Sequence, residues 1–299
     1  MTTLAISPHT STKFPFRFVL VAFAWSWLWW IPATLAERGM ITLPIPAGLL
    51  EISGGFGPLL AAFVLTWVEA GGPGVRALAG QALRWRVALF WYGVALLGPF
   101  LYQLVAMGLH VLLGGQPPEL GSLLAQVPDV LINFVLVFFL IGVAEEFGWR
   151  GYLLPRLQGQ TSALLASLVV GVIWAAWHLP LFFNPGTSYI QTPFAVWLIF
   201  LLPYSVIHTW LYNSTRASLL LAIALHAMVN VTGSLWMSVP DVGPVVETTP
   251  GIVAQIYLLQ AAVLWVLAGV ILLVTSAQNL ARQPRQVSGP AATAGVKLH

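Results

Sequence analysis

VLINFVLVFFLIGVAEEFGWRGYLLPRL, residues 130–157, places two carboxylates and a guanidinium inside a stretch that is otherwise long and apolar enough to cross a bilayer. A hydrocarbon core of about 30 Å takes roughly 20 helical residues. A segment in lipid must satisfy its own backbone hydrogen bonds, so helix is the expected form. An ionisable group at the bilayer centre costs about 2.5–3.5 kcal/mol on insertion scales and by default marks a functional site. Glu145, Glu146 and Arg150 therefore decide both the fold class and where to look for chemistry.

Working outward, seven further apolar stretches flank this one: 14–35, 47–68, 87–113, 162–183, 193–212, 218–236 and 252–274. The expected fold is all-α, a polytopic membrane bundle of about eight transmembrane helices around an intramembrane polar cavity. Composition agrees, with 59% hydrophobic and 7% charged residues against roughly 45–50% and about 25% in soluble domains. The first run follows Lys13 and Arg17 but is too long and too rich in tryptophan for a removed leader, so it reads as an anchor. The protein has no cysteine, which removes disulfides and thiolate nucleophiles.

With eight spans and both termini on one side, Lys13, Arg17, Arg76, Arg84, Arg86, Arg150, Arg156, Arg216, Arg282, Arg285 and Lys297 fall on that side and Arg38 alone on the other. This bias predicts cytoplasmic termini. The expected location is an integral membrane protein of the bacterial inner membrane. The basic residues form no dense patch, so nucleic acid is not an expected partner; lipid and a membrane-associated peptide or protein are. Residues 1–277 form one transmembrane domain. The tail 278–299, without apolar periodicity, is expected to be a disordered cytoplasmic segment. Gly54, Gly55, Gly57 and Pro58 interrupt the second span and read as helix packing.

Helix geometry separates the two glutamates. Glu146 and Arg150 are four apart and share a face, which predicts an ion pair. Glu145 lies five positions from Arg150, about 140° around the helix, and is left for chemistry. Trp174 and His178 are also four apart, so the indole can wall the imidazole. His226 and Asn230 share a face of the seventh span, where they can orient water or donate to an oxyanion. Alone, each polar group also reads as interhelical hydrogen bonding. His110 and His208 are given little weight, as are the terminal His9 and His299. Counting 1.5 Å per residue from the basic end puts Glu145 about 18 Å deep, His226 about 12 Å, Asn230 about 18 Å and His178 about 24 Å.

Glu145-Glu146-x-x-x-Arg150, Trp174-x-x-x-His178 and His226-x-x-x-Asn230 together resemble the signature of the CAAX prenyl protease and bacteriocin-processing family (CPBP, the type II CAAX endopeptidase or Abi family). The likeness runs from about Ser53 to Asn230, with Trp174 where the family usually has phenylalanine. The resemblance implies a bundle of eight transmembrane helices whose cavity opens to the cytoplasm and lipid, with a catalytic core at about 128–237. It implies that Glu145 activates water, His178 and His226 assist, and Asn230 helps form the oxyanion site, supported by Glu146, Arg150 and Trp174. The family's usual label is metalloprotease. No cofactor is firmly indicated, since a His-Glu-x-x-His motif is missing; if zinc is used, Glu145, His178 and His226 are its ligands.

The leading expectation is an intramembrane endopeptidase acting on a membrane-associated or lipidated, CAAX-type protein by glutamate-activated water. The alternatives are a non-enzymatic immunity or scaffold protein of the same fold, and a proton-coupled transporter using the buried charges.

Overall fold

A computed structural model describes residues 14–242 and 250–287, all of whose regular structure is helical. Thirteen α-helices follow in order: α1 Phe16–Glu37, α2 Ala47–Gly55, α3 Gly57–Gly80, α4 Leu89–Leu96, α5 Gly98–Leu112, α6 Leu120–Ala125, α7 Val127–Val137, α8 Val143–Glu146, α9 Leu154–Gln158, α10 Ala163–Trp177, α11 Phe194–Ser214, α12 Leu219–Thr232 and α13 Pro250–Val274. Every expected apolar stretch coincides with helix. Among the described residues, six continuous helices are long and apolar enough to cross a membrane, and α4 with α5, bent by 44°, would make a seventh. The remaining stretch is α10, only 15 residues long. Pro180 explains why it stops short of the expected 162–183: proline cannot continue an α-helix without losing a hydrogen bond, and a 3-10 segment Leu179–Phe183 follows instead.

The span holding the glutamates is not a uniform helix. π-helical segments, Phe138–Gly142 and Phe147–Leu153, flank the short α8. Such insertions rotate the residues beyond them relative to an ideal helix and recur at functional sites. Gly148 lets this segment lie against α3, because an added Cβ would sit 2.5 Å from the Pro58 Cβ and 2.8 Å from its carbonyl oxygen. Gly54 and Gly57 act as expected, in packing, since an added Cβ would run into Trp30 at the first and into Ser26 and the Ala22 carbonyl at the second, whereas Gly55 faces open space and lines the cavity. Ser26 of α1 also donates to the Gly54 carbonyl at 2.6 Å, and Trp177 donates to Ser26 at 2.7 Å.

Serines start the two helices that carry the histidine motifs. Ser162 accepts from the Leu165 N–H and Ser218 from the Leu221 N–H, satisfying donors at the starts of α10 and α12; such caps contribute about 1 kcal/mol each.

The bundle has two distinct ends. At one, Arg84 donates to the Arg216 carbonyl, Tyr212 to Gln81, and Asn213 and Gln158 to each other. This end carries Arg17, Arg76, Arg84, Arg86, Arg156, Arg216, Arg282 and Arg285. At the other, Asn184 donates to Glu51 at 2.7 Å, Arg38 to the Phe183 carbonyl, and His110 meets Asp241 at 3.1 Å. Glu37, Glu51, Glu119, Asp129 and Asp241 lie toward that second end, with Arg38 as its one arginine or lysine among the described residues.

The tail departs from expectation. Residues 278–287 are held against the basic end: Asn213 donates to the Asn279 carbonyl, Gln158 to that of Gln286, and Leu280 is fully buried. Buried amides of the bundle recruit backbone of the tail, a signal that apolar periodicity does not carry. Residues 288–299 lie outside the described residues, as do His9, Lys13, Lys297 and His299.

Candidate active site

The membrane-depth motifs converge. Glu145, His178, His226 and Asn230, from three separated parts of the chain, line one cavity of about 800 Å³. His178, counted deeper than Glu145 along its span, lines the same cavity from the C-cap of α10. Glu145 is 5% exposed, His178 6% and His226 2%, whereas Asn230 is exposed to the cavity.

Glu145 is aimed by two indoles. Trp174 Nε1 donates to its Oε2 at 2.6 Å and Trp149 Nε1 to the same oxygen at 3.1 Å. Its other oxygen, Oε1, lies 3.9 Å from His226 Nε2. Two neutral donors in a buried site fix the carboxylate without a direct cation and leave one oxygen for a proton transfer. Trp174 thus does more than wall the imidazole; its carbonyl also meets His178 Nδ1 at 2.9 Å, tying the two motifs into one unit.

Glu146 faces away from that cavity. Arg150 Nη1 donates to its Oε1 at 2.8 Å, the expected ion pair, with both side chains fully buried. Burying two charges is repaid only by close pairing and further hydrogen bonds, and removing one partner costs about 3–5 kcal/mol. Arg150 also stacks over the Trp174 ring, Cζ to centroid 4.5 Å. A contact not expected from sequence is His226 Nδ1 to Glu146 Oε1 at 2.8 Å. An imidazole N–H donating to this carboxylate presents Nε2 toward Glu145, the way a carboxylate commonly orients a functional histidine.

The profile of the family "Type II CAAX prenyl endopeptidase Rce1-like" matches residues 127–232, which contain all the motif positions. The curated "CAAX prenyl protease 2" of Methanococcus maripaludis is 35% identical over 125 residues, 39% of this chain and 46% of that protein. Residues 127–232 are thus similar to the type II CAAX prenyl endopeptidase family. The match spans under half of the curated relative's length. The matched segment begins at α7 and ends with α12, so the cavity is completed by chain on both sides of it: Trp30 and Glu51 before, Tyr257 and Gln260 after.

His208 is the residue that sequence reading undervalued. It is fully buried in α11, its Nδ1 at 3.3 Å from the Tyr204 carbonyl and its ring 6.2 Å from that of His226. The available signal was the general one, an ionisable side chain within a span; helical spacing offered none.

Zinc fits this arrangement poorly. Among the described residues, the one set of three side chains whose ligand atoms lie within 4.8 Å of one another is Glu146, His208 and His226, not the expected Glu145, His178 and His226. Glu146 Oε1 in that set already accepts from both His226 and Arg150. A cation there would share its carboxylate with a buried guanidinium, which the low dielectric of the site makes unfavourable.

Proposed function

We propose that this protein is an intramembrane endopeptidase in which Glu145 activates water for attack on a peptide carbonyl. The carrying observation is the Glu145 carboxylate, fixed through Oε2 by two indoles and free at Oε1 toward a cavity shared with His178, His226 and Asn230. Glu145 takes the proton of the attacking water. His226, oriented by Glu146, and the Asn230 amide face the same space and stabilise the oxyanion as it forms. His178 holds the water opposite them. The amide nitrogen leaves with the proton that Glu145 gained, so no external acid is required.

The substrate is a membrane-associated protein. Leu136 and Leu140 line the cavity and are 52% and 43% exposed, an apolar wall suited to an apolar stretch of substrate. Glu145→Gln keeps the side chain's shape but removes the base. Purified wild type and Glu145→Gln, each incubated with a membrane proteome, should differ by new peptide termini found with wild type alone. Identical termini in both samples would refute the assignment.

A further inference from the structure

α13 presents Val253, Ile256, Tyr257 and Gln260 to the cavity, a spacing of three and four that marks one face of a helix. Gln260 carries the one carboxamide of that row. It is 5% exposed, and its amide makes no hydrogen bond among the described residues. A carboxamide offers two N–H donors and an acceptor oxygen, and leaving them unpaired in a buried site is unfavourable. The other glutamine of the lining is already paired: Gln103 accepts from Trp236 at 2.8 Å and donates to Tyr102 at 3.1 Å.

A row of rings joins Gln260 to the base. One turn before it on α13, Tyr257 meets Phe200 edge to face at 5.2 Å; Phe200 stacks on Tyr204 at 5.9 Å, and Tyr204 on Trp174 at 5.5 Å. Trp174 is the indole that donates to Glu145 at 2.6 Å, and all four rings line the cavity. The Tyr257 ring therefore lies no farther from that of Trp174 than about five extended residues reach.

Attack on a peptide carbonyl requires the chain to be unwound at that bond, which leaves main-chain N–H and C=O groups without their helical partners. In apolar surroundings each such group is costly unless it is bonded. Aromatic and aliphatic walls cannot bond it. A free carboxamide can, because it donates to a carbonyl and accepts from an N–H, the two halves of a peptide group. We propose that Gln260 binds a main-chain peptide group of the substrate a few residues from the cleaved bond, holding an extended segment along the wall formed by Tyr257, Phe200, Tyr204 and Trp174. The proposal rests on the endopeptidase reading and adds to it a binding residue on a helix outside residues 127–232, the segment that the family profile matches. Since every substrate has peptide groups, Gln260 sets affinity rather than side-chain choice.

The test uses a quenched peptide spanning a terminus that wild type generates and Glu145→Gln does not. Gln260→Met keeps the length of the side chain but removes its donors and strong acceptor. In detergent it should raise KM about tenfold and change kcat by less than about twofold, the signature of binding made equally in ground and transition states. Gln260→Asn, which restores an amide, should recover part of the loss. Replacing the peptide's amides by esters removes one N–H at a time. At one position the ester should raise the wild-type KM about fivefold and leave that of Gln260→Met unchanged. Gln260→Met should also melt no lower than wild type, since an unpaired buried amide leaves the bundle. A wild-type KM in Gln260→Met, ester effects equal in both enzymes, or a melting temperature below that of wild type would overturn the proposal and leave the endopeptidase reading standing. If wild type generates no terminus that Glu145→Gln lacks, that reading fails, and the peptide group assigned to Gln260 fails with it.

Discussion

The two ends of the bundle solve opposite problems with the same kinds of residue. At the basic end, buried Gln158 and Asn213 bond to each other and to the backbone of 279–286, so every amide is spent on closing the structure. In the acidic half, the Asn230 amide is exposed to a cavity and Glu145 keeps an oxygen turned toward it. The contrast is repeated within one dipeptide: Glu145 faces the cavity, and Glu146, one residue on, accepts from Arg150 and His226 in a fully buried cluster. Satisfaction does not separate them, since Glu146 Oε2 is also without a hydrogen-bond partner; access does, because Glu146 is sealed within the bundle and Glu145 borders the cavity, where substrate or water can reach it.

The sharpest break of this comparison comes from Glu145→Gln, which should lower cleavage by about 10²–10⁴-fold while melting behaviour in detergent stays that of wild type. Unfolding of this variant would mean that Glu145 belongs with the structural group. Glu146→Ala and Arg150→Ala should behave oppositely, each losing about 3–5 kcal/mol of stability because an unpaired charge remains buried. The double variant should recover part of that loss; strictly additive losses would separate the two residues energetically. Because Glu146 also holds His226, Glu146→Ala should lose activity per folded molecule as well, measured on the soluble fraction.

Histidines sharpen the distinction further. His226→Ala should slow cleavage by about 10²-fold or more through lost transition-state stabilisation. His208→Ala should slow it by less than about tenfold if no metal is held, with activity surviving exhaustive chelation. Near-stoichiometric zinc, lost together with activity and restored with it, would reinstate a metal site around Glu146, His208 and His226. At the basic end, Asn213→Ala should leave catalysis unchanged and cost about 1–3 kcal/mol, the usual penalty for orphaning buried partners; thermal unfolding beside cleavage rates checks both halves.

The smallest effect is at the acidic end. Burial pushes the largely exposed Asp241 carboxyl up, but donation from the Gln116 N–H and the His110 ring outweighs it, and the group is held below its ordinary range. A carboxyl depressed in the folded state contributes stability above its unfolded pKa and loses it as pH falls through the folded value. Asp241→Asn should therefore lower the melting temperature slightly at neutral pH, and the difference should vanish in acid below the ordinary carboxylate range. A difference that persists there would assign the effect to packing.

Some of this was legible without coordinates. Hydropathy alone located the long apolar helices, because lipid imposes a length and an internally bonded backbone on each span, but it missed α6 and the extension of α3 to Gly80. Spacing of four found the Glu146–Arg150 pair, and rarity of charge in apolar sequence found Glu145, His178 and His226. Other features had no local signature. The indoles that hold Glu145, the contact of His226 with Glu146, the buried His208 and the tail bound at the basic end all join residues far apart in the chain, or depend on the π-helical turns around α8. Sequence fixes which polar groups lie at membrane depth, since their cost is paid residue by residue. Which of them are satisfied, and which face a cavity, is set by how helices pack and rotate against each other, and only the tertiary structure decides that.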